Sequence, residues 1–392
     1  MGGGQAGAHA AMAMRDAGFS GRIVLIGEEN DHPYERPPLS KDALTTTPEP
    51  GLAYFHPQPR YAERGVEVLL GTPVAALDPA TRRVDLADGR RLDYTRLLLA
   101  TGGRARALPV DGEVLTLRTA TDASRIRARL TPGSRVVCIG AGVIGLEVAS
   151  SAKARGCVVD VIEAGPLVMG RCVAPEIAAW IAGLHRASGV TLHLGASVTA
   201  VEPGRVRFGA GQEIEADCVV AGIGMERNVE LAAAAGLAID RGILVDALGR
   251  TSDPNVYAAG DVAAFWVPRL GRHVRLESWK HAQDHGVAVG RAMADAGAPY
   301  EEVPWFWTDQ HGVNLQIAGT HEGAARTVLR GDPDQRRFSA WHLDDECRPV
   351  GVAGINAPRD VRAGLGLIRA GQAVDPVLLA DPATPLQRLL RR

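Results

Sequence analysis

Two nested α/β domains followed by a C-terminal α+β domain are the architecture predicted by this 392-residue sequence. Three observations carry that prediction. A glycine turn sits between two β-branched runs in the stretch from Ser134 to Glu163, the same glycine spacing opens the chain, and from Val303 the pattern changes to alternating, aromatic-rich runs.

The central stretch is the most specific of the three. Val136, Val137 and Ile139 lead into Gly140-x-Gly142-x-x-Gly145, a helix-compatible segment follows, and Val158, Val159, Val161 and Ile162 end on Glu163. That order of strand, turn, helix and strand is a Rossmann-like dinucleotide-binding unit. Its first glycine permits a tight turn, its second lets backbone approach a pyrophosphate, and its third lets helix and strand pack closely. The phosphates would rest on helix N-terminal N–H groups. Glu163 stands about 20 residues beyond the turn, where a carboxylate can accept hydrogen bonds from an adenosine ribose.

The chain opens with Gly2-x-Gly4-x-x-Gly7, an alanine-rich helix, and a strand from Arg22 to Ile26 that leads to Glu28 and Glu29, which reads as a second dinucleotide unit. No strand precedes Gly2. A parallel sheet buries such a strand on both faces, so the expectation is a truncated start with neighbouring core exposed. In DHPYERPPLSKDAL, Pro33, Pro37 and Pro38 stiffen the backbone, Ser40 is placed to cap a short helix, and Lys41 falls in that helix's first turn. By composition alone Lys41 reads as a solvated surface lysine.

Residues Gly65 to Leu99 read as short strands broken at Asp78-Pro79 and Asp88-Gly89, ending in RLLLATGGRAR, an apolar strand that runs into Gly102 and Gly103. Backbone at that turn is open to a cofactor, or it is a plain turn. A helix is expected with its cap at Thr121 to Ser124. After the central unit, Val190 to Ile223 repeats the form: strands with turns at Pro203-Gly204 and Gly209 to Gly211, closed by DCVVAGIGMERN. Two fingerprints, each followed by a hairpin region and an apolar strand ending in glycine, amount to a duplicated architecture. In the last part, Trp305, Phe306 and Trp307 cluster in PWFWTDQ. Runs at Leu315 to Ile317, Thr327 to Leu329 and Phe338 to Leu343 predict an antiparallel sheet, with a helix near Asp360 to Ala370. Core packing is the commoner fate of such tryptophans.

A formal net charge of -2 offers no reason to propose nucleic acid or a membrane surface as partner. No apolar run is long enough for a membrane span and no basic-then-apolar segment leads the chain, so a cytoplasmic location is expected. The cysteines are Cys138, Cys157, Cys172, Cys218 and Cys347, without a C-x-x-C or metal-ligand spacing. Cys138, Cys157 and Cys218 lie in β-type apolar runs and read as buried, inert thiols.

The motifs YERPPLSKD, LLLATGGRAR, GVIGLEVA, TSDPNVYAAGDV, LESWKHAQ, PWFWTDQ, NAPRD and VDP together span essentially the whole chain. On them the sequence resembles the FAD-dependent NADH:ferredoxin reductases that serve Rieske oxygenases and bacterial cytochromes P450, within the glutathione-reductase-like flavoproteins. The resemblance implies that the turn at Gly2, Gly4 and Gly7 holds the FAD pyrophosphate, that Glu28 binds the adenine-side ribose, and that Ala100, Thr101 and Gly102 lie along the flavin. It also implies flavin-side contacts at Gly260, Asp261 and Trp279, and NADH at Gly140, Gly142, Gly145 and Glu163. Lys41 and Glu147 would pair beside the flavin N5, one from each dinucleotide domain, and Trp307 would lie near the flavin facing the acceptor. The motif TSDPNVYAAGDV follows the second unit yet belongs with the first, which nests one domain in the other: residues 1–112 and 241–302 for FAD, 113–240 for NAD, and 303–392 at the end. His281 stands where many relatives carry Asn.

The implied activity is transfer of hydride from NADH to FAD and of single electrons to a [2Fe-2S] ferredoxin. A thiol-dependent reductase of the same superfamily needs a cysteine near the flavin early in the chain, and none precedes Cys138. A non-enzymatic, NADH-sensing flavoprotein similar to apoptosis-inducing-factor relatives and a thiol-independent NADH oxidase are the remaining readings.

Overall fold

The computed structural model describes residues 1–268 and 271–389. The chain divides into two compact units, one of Met1–Glu35, Gly51–Arg104 and Met225–Glu302, the other of Arg36–Pro50, Ala105–Gly224 and Val303–Arg392.

In the first unit the helix Gln5–Asp16 follows the opening glycine turn, and the strand Ile23–Ile26 pairs in parallel with Val66–Leu69. A second parallel pair joins Leu97–Leu99 to Val256–Ala258. Met1 bridges the two pairs: its amino group donates to the Leu98 carbonyl at 2.8 Å, its carbonyl accepts from Ala100 N at 2.8 Å, and Gly2 N donates to the Ile26 carbonyl at 2.8 Å. The exposed core expected there is not found, because Leu25 and Leu98 are only 3% and 8% exposed. The reason is the helix pair that belongs to the same core, Gln5–Asp16 against Trp279–Met293. These helices approach so closely that a Cβ on Gly286 or Gly290 would stand 2.4 Å from the carbonyl oxygen of Ala6 or Ala10. Such contact requires glycine, since overpacking of this size displaces backbone. The hairpin excursion is a three-stranded antiparallel sheet, Val74–Asp78, Arg83–Leu86 and Arg91–Asp93, with turns where the sequence places them.

The second unit holds a five-stranded parallel sheet in the order Val190–Leu194, Val158–Glu163, Arg135–Ile139, Cys218–Ala221, Leu115–Thr116. Its central strands are near-continuous apolar runs because helices cover them. A second three-stranded hairpin sheet, Val198–Glu202, Arg205–Phe208 and Gln212–Glu215, repeats the arrangement of the first unit. The helix expected to be capped within Thr121 to Ser124 runs Ala120–Arg129 and is capped by Thr119, in a reciprocal box with Asp122. Thr119 wins because an acceptor-bearing side chain three residues on is what closes such a box.

The last part of this unit is antiparallel, in the order Trp305–Gln310, Val313–Gly319, Pro349–Ile355, Arg337–Leu343, Arg326–Asp332. The helix Pro358–Ala370 packs on it, with Gly364 making room for Val352 and the fully buried Trp341.

Candidate functional site

The two glycine turns are built alike. In the first, Gly2 has φ +108° and a Cβ there would stand 2.1 Å from the Ala100 carbonyl oxygen; a Cβ on Gly7 would stand 2.0 Å from the Gly2 carbonyl oxygen. In the second, Gly140 has φ +95°, and a Cβ on Gly145 would stand 1.9 Å from the Gly140 carbonyl oxygen. The middle glycines differ in kind. No atom lies within 4 Å of a Cβ built on Gly4, and on Gly142 the nearest is the Gly222 carbonyl at 3.7 Å, so both leave open space over the turn.

Gly4 and Gly142 are also the N-caps of the helices Gln5–Asp16 and Val143–Ala154, neither of which has a side-chain cap or an acid in its first turn. The first helical bonds are donated by Ala8 and Leu146. Each helix therefore presents its first-turn N–H groups without an intrahelical partner, at the positive end of the helix, beside space that a side chain would fill. That donor set fits a pyrophosphate.

The carboxylates at the ends of the following strands are in different states. Glu28 is exposed, whereas its neighbour Glu29 accepts from the Tyr34 hydroxyl at 2.5 Å. Glu163 accepts from Ala141 N and Gly165 N, each at 2.7 Å, one on each oxygen. It thereby holds the glycine turn to the strand end. Each oxygen keeps a lone pair for a ribose hydroxyl.

Around Ala100, Thr101 and Gly102 the sequence reading missed a residue. Asn228 brackets this turn: its Nδ2 donates to the Thr101 carbonyl at 2.9 Å, its N to the Gly102 carbonyl at 3.0 Å, and its own carbonyl accepts from Thr101 Oγ1 at 2.8 Å. The only signal was the parallel form of the two glycine-ended strands. Gly260, at φ +75°, lies 2.8 Å from Ala6 Cβ by its built Cβ, and its N–H donates to His285 Nδ1 at 3.2 Å. The Asp261 carbonyl accepts from Arg227 Nε at 2.9 Å. Trp279 opens a helix whose cap, Ser278, accepts from His281 N at 3.2 Å. His281 is 3% exposed, bonded to the Tyr300 hydroxyl at 3.0 Å and stacked on Phe265; burial pushes its pKa down to about 3. It is a neutral core residue that braces this turn region together with His285.

In the second unit Lys41 and Glu147 meet, with Lys41 Nζ 2.8 Å from Glu147 Oε1 and the carboxylate only 2% exposed. Lys41 is thus no surface lysine. It is the N-cap of the short helix Asp42–Thr45, one position before the first turn where the sequence placed it. Ser40 does not cap that helix: it ends a 3-10 turn, Pro37–Ser40, and its hydroxyl donates to Glu147 Oε2. A charge-assisted bond to a buried carboxylate is stronger than a neutral bond from a helix-end amide, so the hydroxyl turns inward. Thr308 Oγ1 donates to Glu147 Oε1 at 2.6 Å. Trp307, on the same strand as Thr308, points to the other face by strand alternation and stacks on Trp305 with centroids 5.4 Å apart.

Burial raises the thiol pKa of Cys138 far above its ordinary value, that of Cys218 to about 11, and that of Cys157 less strongly. Thiols so protected are poor nucleophiles. Replacing all five cysteines by Ser or Ala should leave NADH-to-dye reduction within a few-fold in flavin-loaded protein. Loss of activity in a folded, loaded variant would put a thiol back into turnover. Among the described residues no group of three or more His, Cys, Asp or Glu is arranged to hold a metal, and no helix is long and apolar enough to cross a membrane.

Residues 1–286 match the family described as pyridine nucleotide-disulphide oxidoreductase, and residues 305–390 match the reductase C-terminal family. The chain is 40% identical over 403 residues to the anthranilate 1,2-dioxygenase system ferredoxin--NAD(+) reductase component of Burkholderia cepacia, covering 100% of this chain and 98% of the relative. Among solved structures it is similar to the ferredoxin reductase for the CYP199A2 system from Rhodopseudomonas palustris, with TM-score 0.95 and 37% identity, over 99% of this chain and 98% of that one. It is also similar to the reductase in a covalent putidaredoxin reductase-putidaredoxin complex, with TM-score 0.94 and 36% identity, over 99% and 96% of the two chains. Two glycine turns of one construction, a buried Lys41–Glu147 pair and these full-length likenesses place the chain in the pyridine nucleotide-disulphide oxidoreductase family, among its FAD-dependent ferredoxin reductases.

Proposed function

We propose that this protein oxidises NADH and passes the electrons one at a time to a [2Fe-2S] ferredoxin, in the cytoplasm, as the reductase component of an oxygenase system. The observation that carries this reading is the presence of two pyrophosphate-fitting helix ends and a buried ion pair, with the thiols of Cys138 and Cys218 buried and held protonated. FAD, when bound, supplies a centre that takes hydride as an electron pair and releases electrons singly.

This chain's residues do the rest. Gly2, Gly4 and Gly7 would cradle the FAD pyrophosphate and Glu28 its ribose, with Ala100, Thr101, Gly102, Gly260, Asp261 and Trp279 along the remainder. Gly140, Gly142, Gly145 and Glu163 would hold NADH. Lys41 and Glu147 form a fixed, mutually neutralising pair that needs no reorganisation as charge arrives, the preorganised role expected of a hydride-transfer site. Trp307 would border the exit to the acceptor. The division into residues 1–112 with 241–302, 113–240 and 303–392 remains our reading of the domains, with the segment carrying Lys41 packing in the same compact unit as Glu147.

NADH should be preferred over NADPH, because Glu163 would meet a 2′-phosphate as a like charge and Ala164-Gly165-Pro166 offers no basic partner. The ratio of kcat/KM values should be on the order of tens-fold or more, at about 1.4 kcal/mol per factor of ten. Equal efficiency with both nucleotides would sink this assignment of Glu163. The activity itself is tested by following NADH oxidation in air with and without ferredoxin. Ferredoxin should accelerate it by at least about tenfold, as expected when docking places the centres in proximity; an unchanged rate would favour the oxidase or sensing reading.

A further inference from the structure

The Glu147 carboxylate is the end point of a polar chain that crosses the second unit, and the donor direction at every link can be deduced. Thr308 Oγ1 lies 2.6 Å from Glu147 Oε1, and an ionised carboxylate only accepts, so the single Thr308 hydroxyl proton is committed to it. Thr308 Oγ1 can then only accept from Gln310, 3.0 Å away, which fixes the amide with Nε2 toward Thr308; the same Nε2 also faces Met169 Sδ at 3.8 Å. Gln310 Oε1 is left to face His185 Nε2 at 2.9 Å, so that nitrogen must carry a proton. His185 Nδ1, 3.1 Å from His311 Nε2, is therefore the acceptor of a proton held by His311.

Thr308, Gln310 and His185 are 0%, 4% and 0% exposed, and only His311, at the turn after the strand, is partly open. Lys41 faces the carboxylate and the charge of Lys153 acts on His311. Burial lowers the His185 pKa, and burial, with the repulsion a second protonated ring at His185 would exert and the charge of Lys153, lowers that of His311 to about 4, so both rings are neutral near pH 7.

We propose that His185 and Gln310, acting through Thr308, are positioning residues for Glu147. Four hydrogen bonds run in one direction, from His311 to the carboxylate, and lock the Thr308 hydroxyl as a donor that holds Glu147 Oε1 beside Lys41. Because Gln310 is an amide, the chain orients without carrying a proton onward. This inference rests on the reading of Glu147 as the carboxylate at the hydride-transfer site. Removing a donor from a carboxylate favours its protonated form, so the consequence is a change in how turnover depends on pH.

The test uses flavin-loaded protein with 15N-labelled histidine, the His185 signal being assigned by its loss in His185→Gln. The expected result is a neutral His185 with its proton on Nε2 near pH 7, gaining a second proton only below the ordinary imidazole pKa. In parallel, the rate of flavin reduction by NADH is measured against pH. Thr308→Val, which removes the donor from the carboxylate, should move the acid limb up by about one unit, a tenfold change in proton affinity. Gln310→Met, which removes the bond that orients that donor, should move it the same way by less, and Thr308→Ser, which keeps the hydroxyl, should not move it, so the test survives if one variant fails to fold. A proton on Nδ1, an ordinary imidazole titration, or a limb unmoved in both donor-deleting variants would overturn the network even if ferredoxin is reduced. The expected tautomer and limb shift without ferredoxin reduction would overturn the functional reading alone.

Discussion

Replacing Lys41 by Met should lower stability to urea by about 3 kcal/mol, at the lower end of the cost of leaving a buried charge without its partner. Glu147 is 2% exposed, so water cannot take the place of the ammonium at 2.8 Å. Ser40 and Thr308 would still donate to the carboxylate, which is why the expected loss is not larger. The double variant Lys41→Met with Glu147→Gln should recover most of the loss, since the buried charge then disappears. Both variants should reduce their flavin slowly with NADH, because neither keeps the fixed pair. A single-variant loss below about 1 kcal/mol would mean that the pair is worth no more than a surface salt bridge.

The second large effect separates the two glycine turns. Gly7→Ala puts a Cβ 2.0 Å from the Gly2 carbonyl and Gly145→Ala puts one 1.9 Å from the Gly140 carbonyl, so each forces helix and turn apart by the same clash. Overpacking of this kind costs about 1–3 kcal/mol, and concentrated on phosphate-binding backbone it should weaken the bound group by about 100-fold. The two outcomes should differ. Gly7→Ala should purify largely without flavin. Gly145→Ala should keep its flavin colour and show a KM for NADH raised by about 100-fold, with photoreduction of the flavin unaffected. Flavin loss in Gly145→Ala with retention in Gly7→Ala would reverse the assignment of the turns.

Both turns were legible because their chemistry needs glycine at set positions, where backbone meets backbone or leaves room for a ligand. The hairpin sheets and the C-terminal sheet were legible from period-2 runs and turn residues, which are local signals. Side chains whose partners are remote in sequence were not. Ser40 read as a helix cap on local grounds, yet its partner is a carboxylate 107 positions away. Asn228 reaches back 127 positions to Thr101, and Gln310 reaches 125 positions to His185, with no spacing rule to announce either. Lys41 shows the same limit: composition marked it as solvated, only the family likeness marked it as paired, and the structure places it on a buried acid.

The measurement that bears most directly on the account is anaerobic stopped-flow mixing of the NADH-reduced, flavin-loaded protein with ferredoxins of its host, at increasing salt. The predicted result is reduction of two ferredoxin molecules for each NADH consumed, faster than with dioxygen or a quinone, and slowing with salt as expected of a weak, polar docking surface. Reduction slower than turnover with dioxygen or a quinone, for every ferredoxin the host encodes, would contradict it.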